Sequence, residues 1–138
     1  MKITLLNIAR ILLIISVLSG LTSWLQTMSH VGDENYLVMN YPEGKYHAWF
    51  HAFRESIMDL GMMIVFVVIF FGASQWRTIS IWKITLVLMI VYYLPFWTGG
   101  FFLSQLKPPS LMSEIVHSGM TIPALTALFI SKKDFYKS

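Results

Sequence analysis

Cysteine is absent from the 138 residues, and with it go disulfide frameworks, thiolate catalysis, cysteine-bound zinc and iron–sulfur clusters. Charge is scarce as well. Asp, Glu, Lys and Arg together make up 12% of the chain, about half the share found in an average soluble domain. No internal repeat or low-complexity tract interrupts the sequence. The methionines include no Met-x-Met pair, so Met58, Met62, Met63 and Met89 read as flexible packing rather than as copper ligands. A net charge of +3 would suit an anionic partner. The basic residues form no patch interleaved with stacking aromatics, however, which argues against nucleic acid.

What is present is apolar. Hydrophobic residues make up 56% of the chain and the mean hydropathy is +0.63, values typical of integral membrane proteins. Four runs approach the ~20 residues needed to cross ~30 Å of hydrocarbon: about 11–27, 47–72, 79–103 and 111–130, the last opening after Pro108-Pro109-Ser110. The expected fold is therefore all-α, with residues 1–138 forming one membrane domain. It should be a polytopic bundle of four transmembrane helices whose partners include membrane lipids.

Lysine and arginine set the orientation. With the N-terminus inside, Lys2, Arg10, Arg77, Lys83, Lys132, Lys133 and Lys137 are all cytoplasmic, and only Lys45 and Lys107 flank the outer ends. Both termini are then cytoplasmic, and the loop of about 29–46, which carries Asp33, Glu34 and Glu43, is exoplasmic. Arg10 is expected to snorkel to the near interface. A cleaved signal peptide is the alternative for the first run, because small residues lie at Ser19, Gly20, Thr22 and Ser23. The apolar run continues through Trp24 and Leu25 without an A-x-A-like site, which favours a retained span.

A ladder of ionisable residues, His47, His51, Glu55 and Asp59, recurs every fourth residue at the start of the second span. That spacing keeps them near one helix face. Ionisable groups at membrane depth face a bundle interior and usually mark a site. At about 1.5 Å per residue Glu55 lies on the order of 12 Å below the outer surface and Asp59 near the midplane. The fourth span also enters from outside, which places Glu114 and His117 at a similar depth.

Three chemistries compete for these residues. Imidazole and carboxylate on facing helices build metal centres, so His47, His51, Glu55, Glu114 and His117 are candidate ligands for zinc, iron or manganese. Glu114-x-x-His117 reproduces half of the paired Glu-x-x-His pattern of di-iron bundles. Without metal, Glu55 and Asp59 form an acid–base site with a neighbouring imidazole, and Arg54 either neutralises a carboxylate or reaches a lipid headgroup. Haem held axially by His51 and His117 is a further reading. The bland alternative is interhelical glue, and His30, in the loop, reads as merely solvated.

Other residues read as packing or pocket. Ser16 with Gly20, and Ser19 with Ser23, are small-xxx-small pairs that permit close helix approach. Gly99-Gly100 is expected to loosen the outer end of the third span, and Pro123 to kink the fourth. Tyr92, Tyr93, Trp97, Thr98 and Thr121 are then candidates to line a pocket for an apolar small molecule.

The string His47-Ala48-Trp49-Phe50-His51 resembles a His-Ala-x-Phe-His element of small four-helix membrane proteins. His51-x-x-x-Glu55 on a second helix is similar to the His-x-x-x-Glu pair of emopamil-binding-type sterol isomerases, small helical bundles that open to the bilayer. Each resemblance covers only the residues quoted.

The expected function is that of a small membrane enzyme with Glu55, Asp59 and Arg54 as catalytic groups, acting on a lipidic or apolar molecule with a divalent metal. Metal-free acid–base isomerisation, lipid binding, haem-based electron transfer and a non-catalytic role in a larger membrane complex or homo-oligomer are the alternatives. The charge asymmetry makes a direct prediction. A cysteine introduced by Asn35→Cys will react with a membrane-impermeant reagent from outside, whereas Lys2→Cys and a tag at Ser138 will stay shielded; outside labelling at Ser138 would reverse the orientation.

Overall fold

The computed structural model describes residues 4–39 and 44–136, all helix, turn or loop. Lys2, Glu43, Lys137 and Ser138, which entered the charge and topology argument, lie outside the described residues. Four long helices follow in order: α1 (Leu5–Ser29), α2 (His47–Phe71), α3 (Ile79–Phe102) and α4 (Leu111–Ile130). Short 3-10 turns fill the connections. α1, α3 and α4 are long and apolar enough to cross a membrane. α2 is as long, at 25 residues, but carries Arg54, Glu55 and Asp59.

Local chemistry explains where the helices begin. The Thr4 hydroxyl accepts the Asn7 N–H at the start of α1 and Thr78 accepts the Ile81 N–H at the start of α3, each satisfying an otherwise orphaned donor. Ser110 and Ser113 bond reciprocally to each other's backbone N–H ahead of α4. α1 starts before the lipid-length run read from hydropathy, because Asn7 and Arg10 are no obstacle to helix, only to hydrocarbon. Arg10 is held at the end of α2. Its Nε donates to the Phe70 carbonyl at 2.9 Å, and Arg77 Nη1 donates to the Gly72 carbonyl at 2.7 Å. Two guanidiniums thus meet the carbonyl end of α2, where the helix dipole favours positive charge.

The helices run alternately up and down. Arg10, Phe70, Trp82 and Leu128 meet at one end, where Trp82 Nε1 donates to the Leu128 carbonyl at 2.9 Å. At the other end Trp49 Nε1 donates to the Asp33 carbonyl at 2.8 Å, tying the start of α2 to the long loop. α1 packs against both α4 and α2, and α3 packs against α4. Apolar side chains such as Leu18, Leu25, Ile64, Val87, Val91 and Ile122 remain exposed around the circumference, a surface suited to lipid rather than water.

α1 buries Ala9, Leu13, Ser16, Gly20 and Ser23, alternating steps of four and three that keep one seam inward. Its small residues do what the sequence implied. A Cβ on Gly119 would stand 2.8 Å from Ser19 Oγ, and one on Gly20 would stand 2.7 Å from Met63 Sδ. Ser16 Oγ donates to the Met120 carbonyl at 2.6 Å, so the Tyr93 hydroxyl, 3.3 Å away, donates to Ser16. This chain joins α3, α1 and α4. The expected loosening at Gly99-Gly100 is not what these residues do: α3 stays helical to Phe102, and a Cβ at Gly99 would lie 2.8 Å from the Leu106 carbonyl oxygen. The glycines make room for residues 103–107 to fold back.

The seam predicts an asymmetry between glycines. Gly119→Val should destabilise the protein by about 1–3 kcal/mol through overpacking against Ser19. Gly61→Ala, at a site where an added Cβ meets nothing within 4 Å, should melt at or above the parent temperature in detergent. Equal melting of parent and Gly119→Val would refute the close α1–α4 seam.

Candidate functional site

Two ionisable residues interrupt the packing seams. α2 buries Ala52, Ser56, Met63, Phe66 and Phe70, and Asp59 occupies the position that this spacing reserves between Ser56 and Met63. α4 buries Ser113, Met120, Ala124 and Ala127, and His117 occupies the matching position between Ser113 and Met120. Both are half-buried. They border a cavity of about 280 Å³ at the end of the bundle that carries the long loop. α2 adds Glu55 to its wall, and α3 adds Tyr92, Tyr93 and Phe96. From α1 come Ser23, Gln26, Thr27 and the capping residue His30.

His117 is held in one state. Its Nδ1 lies 2.9 Å from the Ser113 carbonyl oxygen, which only accepts, so Nδ1 carries the hydrogen. In the neutral ring Nε2 then bears a lone pair. Phe96 stacks on the imidazole with centroids 3.5 Å apart and planes 4° from parallel, fixing the ring orientation. The Tyr92 hydroxyl is buried beside Asp59, beyond strict hydrogen-bond distance but close enough to act on its carboxylate. A buried donor is costly to leave unsatisfied, and the acceptor at hand is the Asp59 carboxylate.

The outer part of the ladder is wired differently. Arg54 Nη2 is 3.0 Å from His51 Nδ1, and His51 Nε2 is 2.8 Å from His47 Nε2. A guanidinium cannot accept, so His51 Nδ1 does, which places the hydrogen of neutral His51 on Nε2, donated to His47. His51 therefore has no free lone pair for a cation. His51, Arg54, Glu55, Asp59 and Tyr92 border a second cavity of about 280 Å³, walled also by Met58 and Met62. Glu55, Asp59 and Tyr92 thus stand between the two spaces.

The five residues read as one ligand set, His47, His51, Glu55, Glu114 and His117, are not brought together. Among the described residues no three His, Asp or Glu side chains converge in a group able to hold a metal ion. Glu114 is exposed in the first turn of α4, where a negative charge complements the helix dipole, and lines neither cavity. His51 and His117, the pair considered as axial ligands, border different cavities. Of the pocket residues, Tyr92 and Tyr93 line the first cavity, but Trp97, Thr98 and Thr121 do not. Trp97 Nε1 donates to Thr121 Oγ1 at 3.5 Å, and Thr98 Oγ1 to the Leu94 carbonyl at 2.9 Å. Arg54, expected among the catalytic groups, borders only the second cavity.

His30 is the chief residue the sequence reading missed. Rather than being solvated, it is half-buried, stacks on Tyr36 with centroids 3.8 Å apart, and lines the first cavity. The α1 seam carries the signal for it, since Ser23, Thr27 and His30 continue the steps of four and three. Gly32, with φ 90°, then turns the chain in a conformation that glycine adopts freely. Comparison of the chain with protein families, with curated proteins and with solved structures finds no match.

The hydrogen bond at His117 yields a spectroscopic prediction. Nitrogen-15 NMR of histidine-labelled protein at a pH where His117 is neutral should report the Nδ1–H tautomer for His117 and the Nε2–H tautomer for His51. Arg54→Ala should release His51 to a mixture while leaving His117 unchanged. An Nε2–H tautomer at His117 would contradict the assigned bond to Ser113.

Proposed function

We propose that this chain is a multi-pass membrane protein that takes a small, largely apolar molecule into the cavity between its four helices. There it performs acid–base chemistry without a metal, with Asp59 and His117 as the working pair. The observation that carries this reading is the placement of those two residues on the inward seams of α2 and α4, where apolar side chains would pack better. An ionisable residue at a seam costs stability in a membrane and is retained where it does something. Aromatic walls with a few convergent polar groups are the usual make-up of a small-molecule site. His117, with Nε2 free to accept, is suited to take a proton from a bound molecule, and the Asp59 carboxylate, which can take up a proton in its turn, is suited to deliver it elsewhere on the molecule. In this reading both termini are cytoplasmic and the cavity lies in the outer half of the bilayer, beneath the loop that Trp49 ties to Asp33.

The test uses protein purified from membranes in mild detergent and incubated in D2O, followed by solvent extraction and mass spectrometry. A copurifying organic molecule should gain carbon-bound deuterium in the parent protein. Asp59→Asn and His117→Gln should lower that gain by about 10²-fold or more, in line with loss of a general acid or base. Ser23→Leu, which fills the cavity, should remove the molecule itself. Deuterium uptake undiminished in both Asp59→Asn and His117→Gln would overturn the chemistry, and retention of the molecule in Ser23→Leu would overturn the site.

A further inference from the structure

We propose that the first cavity receives an organic cation, a protonated or quaternary amine carried on a compact apolar body. This rests on the reading of the cavity as a small-molecule site and narrows it to one ligand chemistry.

The charge of the wall is one-sided. Glu55 and Asp59 both border the cavity, and among the described residues no lysine or arginine does. The charged group that acts on Asp59 is Glu55, a second carboxylate. Arg54, the nearest cation along the chain, borders the second cavity and not this one. Its guanidinium meets His51 Nδ1 and lies 5.9 Å from the centroid of the Phe50 ring. Asp59 is half-buried and Glu55 exposed; the half-buried carboxylate has the Tyr92 hydroxyl to offset its loss of water, and a second carboxylate close by adds to the cost. A single positive charge between them relieves both.

The remaining wall suits the same occupant. Tyr92, Tyr93 and Phe96 bring three aromatic rings to the cavity, and aromatic faces attract ammonium groups through the ring quadrupole. Quaternary ammonium ions are recognised by aromatic cages on this principle. The lone pair on His117 Nε2 adds an acceptor for an N–H of a protonated amine. A phosphate, sulfonate or carboxylate would meet two like charges here and no guanidinium to offset them. The second cavity shares Glu55, Asp59 and Tyr92 and is floored by Met58 and Met62, so a longer apolar body has space beside the cationic head.

The test compares three probes of similar shape against the full chain in nanodiscs, with empty nanodiscs as reference. These are benzyltrimethylammonium, its uncharged carbon analogue neopentylbenzene, and the anion phenylmethanesulfonate. Calorimetry or saturation-transfer NMR reads the binding. The ammonium should bind at least tenfold more tightly than either of the others. Asp59→Asn should weaken it about tenfold or more, Glu55→Gln and Phe96→Leu by smaller factors, and none should weaken the neutral analogue by as much. Matched melting curves for Glu55→Gln and the parent keep the comparison valid if Asp59→Asn folds poorly. Equal binding of ammonium and neutral analogue, unaffected by Asp59→Asn and Glu55→Gln, would overturn the cation while leaving a small-molecule site. Preference for the sulfonate would also overturn it. No binding of any probe to the parent protein would remove both the cation and the reading on which it rests.

Discussion

The close seam between α1 and α4 is the contact on which the rest depends. Lipid tails are as apolar as leucine, so helices in a bilayer are not driven together by water and must approach closely enough for dispersion and hydrogen bonds to hold them. Gly119 against Ser19 permits that approach, as Gly20 against Met63 does between α1 and α2, and the Ser16 hydrogen bond to the Met120 carbonyl fixes the α1–α4 register. Register matters because His117 lies three residues before Met120 on α4. With α1 and α4 locked, Ser23, Thr27 and His30 face the same cavity as His117. Tyr93 extends the lock to α3 through Ser16, and the adjacent Tyr92 and Phe96 are positioned as a consequence.

Polar groups are apportioned along the bundle by what can satisfy them. At the end rich in basic residues, Arg10 and Arg77 meet the carbonyls that close α2, and Trp82 meets one that closes α4. These groups are consumed by helix termini. At the opposite end the polar groups gather on side chains that border the cavity, where the buried Tyr92 hydroxyl faces the Asp59 carboxylate.

Much of the fold was legible in the sequence because hydropathy is additive over a run. The boundaries of α4 are those expected, and those of α2 and α3 agree to within one residue. The start of α1 was placed too late because hydropathy locates hydrocarbon and not helix, and Asn7 and Arg10 are compatible with the second alone. The site was half legible. Steps of four along His47, His51, Glu55 and Asp59 identified the right helix, but an α-helix turns once per 3.6 residues, so a four-step ladder drifts away from an inward seam that alternates four and three. Asp59 alone lands on that seam. Glu114 was drawn in by its spacing to His117, and spacing along one helix says nothing of which residue faces inward. His30 went unseen because a residue at a helix end reads as loop.

The seams of α2 and α4 have a consequence for how this chain would respond to selection. Each is an apolar or small-residue repeat broken at one position, by Asp59 and by His117. Apolar replacements at those two points would complete an uninterrupted core, and proteins seldom sit at their stability optimum where a working group demands otherwise. Selection for heat resistance alone would therefore reach these two codons early and leave a sturdier bundle without the acid–base pair proposed for it.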